Sequence, residues 1–287
     1  MVKKIYIDSN HRASGDESDF LWQLPYSERV PKETEVCIDQ VTITNCFYTV
    51  GGHNKYLYWG ERNTTANPDT RANFIETLTE GNYTPQTLGV HIKDKMNARS
   101  QANGYKNVYT VTYNDVQNTY SITKTGNTAN PVVTADFTFW SNKELSAHMA
   151  VWASSSTHAY NALSPRSAYK LLGLPRDSTR TDEVSHTFPN QVNLIPHSCL
   201  YLHSSNMGDI GSSIGPSGEQ TIIRRIPVGN VPFGNVIQDS VFSPMDTIKL
   251  SGHQLSNLHF RLTDEDAHTV DLHGIGFSFS FLIIERE

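Results

Sequence analysis

The sequence predicts a mainly β protein, one β-sandwich interrupted by an inserted α+β module. Three observations carry this reading. Apolar and polar residues alternate with period two near both ends of the chain, as half-buried antiparallel strands require. Helix-start signals fall in the middle third. Neither β-rich flank alone supplies enough strands for a sandwich, so the two flanks are expected to share one, with the middle inserted in a loop.

In chain order, Phe20, Trp22 and Leu24 alternate with Leu21 and Gln23, and Pro25 closes the run. Val36 and Ile38 share one face of the next strand, while Val41 and Ile43 share the other. That change of phase predicts a bulge or a strand buried on both sides. Tyr56-Leu57-Tyr58-Trp59 before Gly60 reads as a short strand. Thr84 then caps a helix with Pro85 at its first position, and Leu88, Ile92 and Met96 line one face. Tyr109 to Tyr113, a turn at Asn114 to Asn118, and Tyr120-Ser121-Ile122 read as a hairpin. Ser141 to Glu144 is a capping box before Leu145, Met149 and Trp152. Ser164-Pro165 starts a last short helix, ended by Gly173 and Pro175.

The C-terminal third returns to strands. Ser198 to His203 and Ile222-Ile223 to Val228 are two of them. Leu258, Phe260 and Leu262 form a third, followed by the turn Asp264-Glu265-Asp266 and by Thr269 to Leu272 leading to Gly274 and Gly276. The last has Phe277, Phe279, Phe281 and Ile283 on one face and Ser278 and Ser280 on the other. The expected organisation is therefore a discontinuous sandwich over 1–74 and 179–287, with an α+β module over 75–178.

Composition narrows the function classes. The 23 Lys and Arg against 29 Asp and Glu give a net charge of −6, with only short basic runs such as Arg224-Arg225. Phosphate binding needs clustered cations, so direct contact with nucleic acid is disfavoured. Cys37, Cys46 and Cys199 are an odd set without C-x-x-C spacing and read as reduced, buried small hydrophobes. The N-terminal apolar stretch is too short for a signal peptide, and no run of about 18 apolar residues predicts a membrane span. Synthesis in the cytosol is expected, which leaves the sequon Asn63-Thr64-Thr65 without glycosylation machinery.

The groups that could carry chemistry each have a plainer reading. Gly211-Ser212-Ser213-Ile214-Gly215 matches a nucleophile elbow, but Pro216 and Gly218 forbid the helix that must follow. His197, Cys199, Tyr201 and His203 fall on one face of a strand, yet the outer pair is about 20 Å apart along it, too far for one metal. Asp264, Glu265 and Asp266 read as a solvated turn rather than a calcium site, as do Asp16, Glu17 and Asp19. There is no P-loop, dinucleotide fingerprint or H-E-x-x-H. The expectation is a structural protein, not an enzyme, with no catalytic, cofactor-binding or metal-ligating residues.

A family resemblance enters with the N-terminal blocks. Lys4-Ile5-Tyr6-Ile7-Asp8-Ser9-Asn10-His11-Arg12, then Ser18 to Pro25, resembles the opening of the minor capsid (penton) proteins of polinton-type elements, adintovirus-like viruses and virophages. Val36 to Ile43 followed by Phe47-Tyr48-Thr49-Val50 is similar to that family's next block, with Thr44 where proline is usual. Gly81-Asn82-Tyr83-Thr84 through the helix and hairpin to Leu171-Leu172-Gly173-Leu174 resembles a module recurrent in viral structural proteins. Leu200 to His203, Ile223 to Val228, and Leu255 to Asp264 with Phe277 to Phe281 resemble the family's later strands. The resemblance implies a single jelly roll that assembles as a homopentamer at the fivefold vertices of an icosahedral capsid. It further implies contact with a double-jelly-roll major capsid protein, a host receptor engaged through the insertion, and a place in the virion. The rival readings are a carbohydrate- or receptor-binding spike or tail sandwich, an enzyme on a jelly-roll scaffold, and a double-jelly-roll hexon, which needs a longer chain.

Overall fold

The computed structural model describes residues 2–29, 34–62, 71–125, 136–147, 166–178, 183–207, 213–216, 218–241, 247–250 and 254–285. The sequon, Met149, Trp152, Ser164-Pro165 and Gly211-Ser212 lie outside the described residues. The chain divides into two compact units, Met1–Phe47 with His197–Glu287, and Tyr48–Pro196.

The first unit opens with β1 (Val2–Asp8), β2 (Ser14–Gly15), β3 (Asp19–Arg29) and β4 (Thr34–Thr44). The second contains β5 (Tyr56–Arg62), β6 (Arg71–Thr77), α1 (Pro85–Ala102), β7 (Val108–Asn114), β8 (Thr119–Thr125), β9 (Phe137–Phe139), α2 (Asn142–Ala147), α3 (Tyr169–Leu172) and β10 (Ser185–Thr187). The chain then returns to the first unit for β11 (Cys199–Ser204), β12 (Ile222–Pro227), β13 (Val236–Asp239), β14 (Ile248–Lys249), β15 (Gln254–Thr263) and β16 (Ser278–Glu285).

The first unit is a sandwich of two antiparallel sheets. Sheet one runs β1-β16-β4-β13, with β14 also on β4, and sheet two runs β12-β11-β15-β3-β2. Setting aside the two-residue strands β2 and β14, the first strand pairs with the eighth, the second with the seventh, the third with the sixth and the fourth with the fifth. That is one long hairpin. It is rolled so that the eighth strand also meets the third and the seventh meets the fourth. This order is the jelly roll, which the family resemblance implied.

The second unit sits in the connection between the third and fourth strands, β4 and β11. Its limits differ from the expected 75 and 178. β5 pairs with β6 and β9, and β10 pairs with β8, so strands first assigned to the sandwich have all their partners in the inserted unit. Alternation identifies a strand but carries no information about which sheet will hold it.

Two sequence signals have clear structural counterparts. The change of phase in β4 is a bulge: Phe281 faces Ile38 and Ser280 faces Gln40, which leaves Asp39 as the extra residue. Val36, Ile38, Val41 and Ile43 are consequently all buried. Pro25, expected to end its strand, lies inside β3 where the pairing with β15 breaks: Gln23 faces Asn257, and the ladder resumes only at Glu28 and Leu255. A residue without an N–H interrupts the ladder, and the chain continues past it.

The sandwich core is built from the inward faces of both sheets. Phe20 and Phe260 from sheet two meet Phe277 and Phe279, with ring centroids 4.8 Å apart for Phe260–Phe279 and 5.9 Å for Phe20–Phe277. One edge of the sandwich is closed by charge. Arg224 on β12 donates from Nε and Nη2 to Asp239 Oδ2 on β13 at 2.8 and 2.7 Å, both side chains being buried. At one end of the sandwich the Phe47 ring stands edge-on to His197, centroids 5.1 Å apart. The chain therefore leaves and rejoins the jelly roll at adjacent points.

In the inserted unit, α1 follows its sequence signals. Thr84 accepts from Thr87 N, Thr87 Oγ1 accepts from Thr84 N, Pro85 opens the helix, and Leu88, Ile92 and Met96 are fully buried. The β7–β8 hairpin falls where expected. Ser141 caps α2 by accepting from Glu144 N at 3.3 Å. Gly173 ends α3 at φ 77°, a left-handed position that glycine adopts freely.

Two predictions follow from this architecture. Replacing residues 48–196 by a short Gly/Ser linker between Phe47 and His197 leaves a folded sandwich with one cooperative thermal transition by circular dichroism. Deleting 75–178 does not, because it cuts β6 short, removes β9 from the other side of β5 and takes β8 from β10. Asp239→Ala leaves a buried guanidinium without its carboxylate and lowers stability to urea by about 3–5 kcal/mol, whereas the pair Arg224→Met with Asp239→Leu recovers most of the loss.

Candidate functional site

The groups singled out in the sequence are each engaged locally. His203 is buried, and its ring nitrogens face two hydroxyls, Thr221 Oγ1 at 3.0 Å and Thr263 Oγ1 at 2.9 Å. Burial, reinforced by the Arg261 guanidinium, pushes its pKa down to about 4. It is a neutral polar joint between β11, β15 and the residue preceding β12. Cys199 donates its thiol to Tyr201 Oη at 3.4 Å. His197 lies between the Phe47 ring and Glu265 Oε2, 3.8 Å away. Cys199, Tyr201 and His203 lie on β11, His197 lies two residues before it, and the four do not converge. Among the described residues, no three His, Cys, Asp or Glu side chains come together as a metal site.

Asp264 organises its turn, accepting from Asp266 N and His268 N at 2.9 Å each. The first is the bond of an Asx turn, and both are accepted by Oδ1. Glu17 pairs with Arg12 at 3.3 Å. Of the Gly211–Gly215 segment, Ser213 Oγ donates to Ile222 O at 2.8 Å and Gly215 N to Glu219 O at 2.7 Å, a turn rather than the start of a helix. All three cysteines are buried and none forms a disulfide, and burial raises the Cys46 thiol to about 11.

One constellation was missed in the sequence. On the outer face of sheet two, Ser205 Oγ lies 3.1 Å from His259 Nδ1, and His259 Nε2 lies 2.7 Å from Asp19 Oδ1. Sequence spacing gives no sign of it, because β15 brings the three residues together by pairing with β3 on one side and with β11 on the other. The order of groups is that of a nucleophilic relay, but its surroundings differ. Asp19 and His259 are 40% and 35% exposed. The neighbouring backbone donors are already committed, Ser204 N to Thr221 O and His259 N to Asn206 Oδ1. Charge stabilisation in acyl transfer requires free donors in a dry site.

The outer face of sheet one is a different kind of surface. In register across it, Asp8 faces Ser278, which faces Thr42, which faces Gln238. In the next row Tyr6 faces Ser280, which faces Gln40. All of these except Gln238 line an open depression. Tyr6 stands over it with 72% of its surface exposed. At its flank Lys4 pairs with Asp39, the bulge residue, which also accepts from Ser280 Oγ at 3.2 Å. The hydrogen bond between Lys4 and Asp39 holds the Asp39 carboxyl below and the Lys4 amine above their ordinary values. The face is therefore broad, rich in hydroxyl and amide groups and poor in unpaired charge.

No family model matches the chain, and no curated protein sequence does. Among solved structures, the chain is similar to the crystal structure of the selenomethionine-labelled mavirus penton protein, at 14% identity and a TM-score of 0.48, over 99% of this chain and 98% of that one.

Proposed function

We propose that the chain is a viral structural protein, a capsid vertex (penton) subunit that acts by assembly and not by catalysis. The observation that carries the reading is the rolled-hairpin order of its eight main strands, in a sandwich whose sequence blocks resemble those of penton proteins. Fold alone does not assign function, so the surface matters. A closed ring needs a heterologous contact, one side of a subunit against a different side of the next. A sandwich offers two such sides in the outer faces of its sheets. The face around Tyr6 suits one of them: hydroxyl and amide groups are cheaper to desolvate than ions, and tyrosine is favoured at protein contacts. In this reading the protein forms homopentamers at fivefold vertices of an icosahedral virion, where it meets a major capsid protein. The inserted unit supplies a second surface, for a host receptor.

Light scattering on the size-fractionated protein tests the ring. The expected mass is five times that of the 32.2 kDa chain. A stable trimer contradicts the proposal and favours a spike or tail protein. Tyr6→Asp is expected to weaken association at least about tenfold while leaving thermal unfolding unchanged, since the side chain is exposed in the single chain.

A further inference from the structure

The core of the inserted unit holds a charged cluster that the assembly reading does not use. Glu61 on β5 is completely buried. Its Oε2 accepts from Ser100 Oγ at 3.0 Å, Asn107 Nδ2 at 2.8 Å and Tyr109 Oη at 2.7 Å. Its Oε1 has no hydrogen-bond partner among the described residues. Lys124 on β8 is only 5% exposed and sits directly opposite Tyr109 in the β7–β8 ladder. Asn107, two residues before Tyr109 and 4% exposed, falls on the same side of the hairpin. Cross-strand diagonal neighbours of this kind lie within reach of a long side chain. The Trp59 and Phe137 rings stand edge-on to Tyr109 at 5.3 and 5.4 Å, so the cluster is walled by aromatic groups.

A buried amine, a buried carboxamide and a buried carboxyl bonded to that carboxamide are the parts of an amide-forming centre. We propose that Lys124 and Asn107 are joined by an intramolecular isopeptide bond, formed by the folded chain itself with Glu61 carrying the proton. The Lys124 Nζ lone pair attacks Asn107 Cγ, while the Glu61 carboxyl, which accepts from Asn107 Nδ2, fixes the carboxamide and lies beside the leaving nitrogen. A new C–N bond forms, Glu61 passes the proton released from Nζ to Nδ2, and the Cγ–Nδ2 bond breaks with loss of ammonia. The sum is one amine plus one primary amide giving one secondary amide plus ammonia, with no redox change.

Electrostatics favour the reactive forms. Burial lowers the Lys124 amine to about 8, against the opposing charges of Glu61 and Asp136, and burial raises the Glu61 carboxyl. Near neutral pH this increases the share of uncharged amine and of protonated acid. The donor and acceptor are also held in place by neighbouring strands, which removes most of the entropic cost of bringing them together.

Intact-mass spectrometry of the purified full chain in denaturant tests the bond. The expected mass is below the sequence mass by one ammonia, about 17 Da. Trypsin should fail to cut after Lys124, and one branched peptide should join residues 107 and 124. Lys124→Arg and Glu61→Gln should restore the full mass. A wild-type chain at its full sequence mass overturns the proposal, whether or not the variants fold. A deficit of about 18 Da also overturns it, because loss of water would mark Asp136 or Glu61 as the acceptor. So does a deficit that survives Lys124→Arg.

Discussion

The structure depends on one junction, the point where the jelly roll is opened to admit the inserted unit. β4 and β11 belong to different sheets, and the connection between them must cross one end of the sandwich. Here that crossing is replaced by a complete second unit, yet Phe47 and His197 remain packed ring against ring. Holding the two strand ends together lets a folded insertion replace a short loop without charging its length to the sandwich. The closure entropy of a disordered loop would grow with length, whereas a folded unit with adjacent ends has already met that cost.

The elements of the fold were legible in the sequence where local chemistry determines them. Thr84 and Pro85 mark the start of α1, Gly173 marks the end of α3, and the misphased valines and isoleucines of β4 announce the bulge at Asp39. Sheet membership was not legible. Tyr56 to Trp59 reads as a strand in any context, and only its pairing with Phe74 and Phe139 shows that it belongs to the insertion. The same limit applies to the polar groups. In the sequence His203 is only one of a row on a strand face, because the hydroxyls that satisfy it stand 18 and 60 residues away. Glu61 follows a glycine in a polar stretch, and nothing nearby in sequence indicates that Ser100, Asn107 and Tyr109 will surround it.

The candidate chemistry sorts by burial. Where titratable groups are deeply buried, as in the Glu61 cluster and at His203, the environment shifts them and each shift has a local cause. On the exterior, as with Asp19 and His259, water competes for every contact, and a geometric relay alone does not produce a reactive serine. Among the described residues, the sandwich presents extended polar surfaces, and the one relay found on it is open to water.

Assembly could use sheet edges or sheet faces, and the edges are poorly suited to it. β1 carries Lys3 and Lys4, β13 has four residues, β2 has two, and β12 bears Arg224 and Arg225 before Pro227. Short strands, lysines and proline are the usual means of blocking strand addition. Edge pairing would also be open-ended, because each added strand presents a new edge, whereas a ring must close. The faces do not share this problem. Rows of serine, threonine and glutamine across sheet one are flat and carry little unpaired charge, and their hydrogen bonds can pass from water to a neighbouring chain at small net cost. A contact built there can be specific in angle without becoming a template for further strands, which is the geometry that a closed vertex requires.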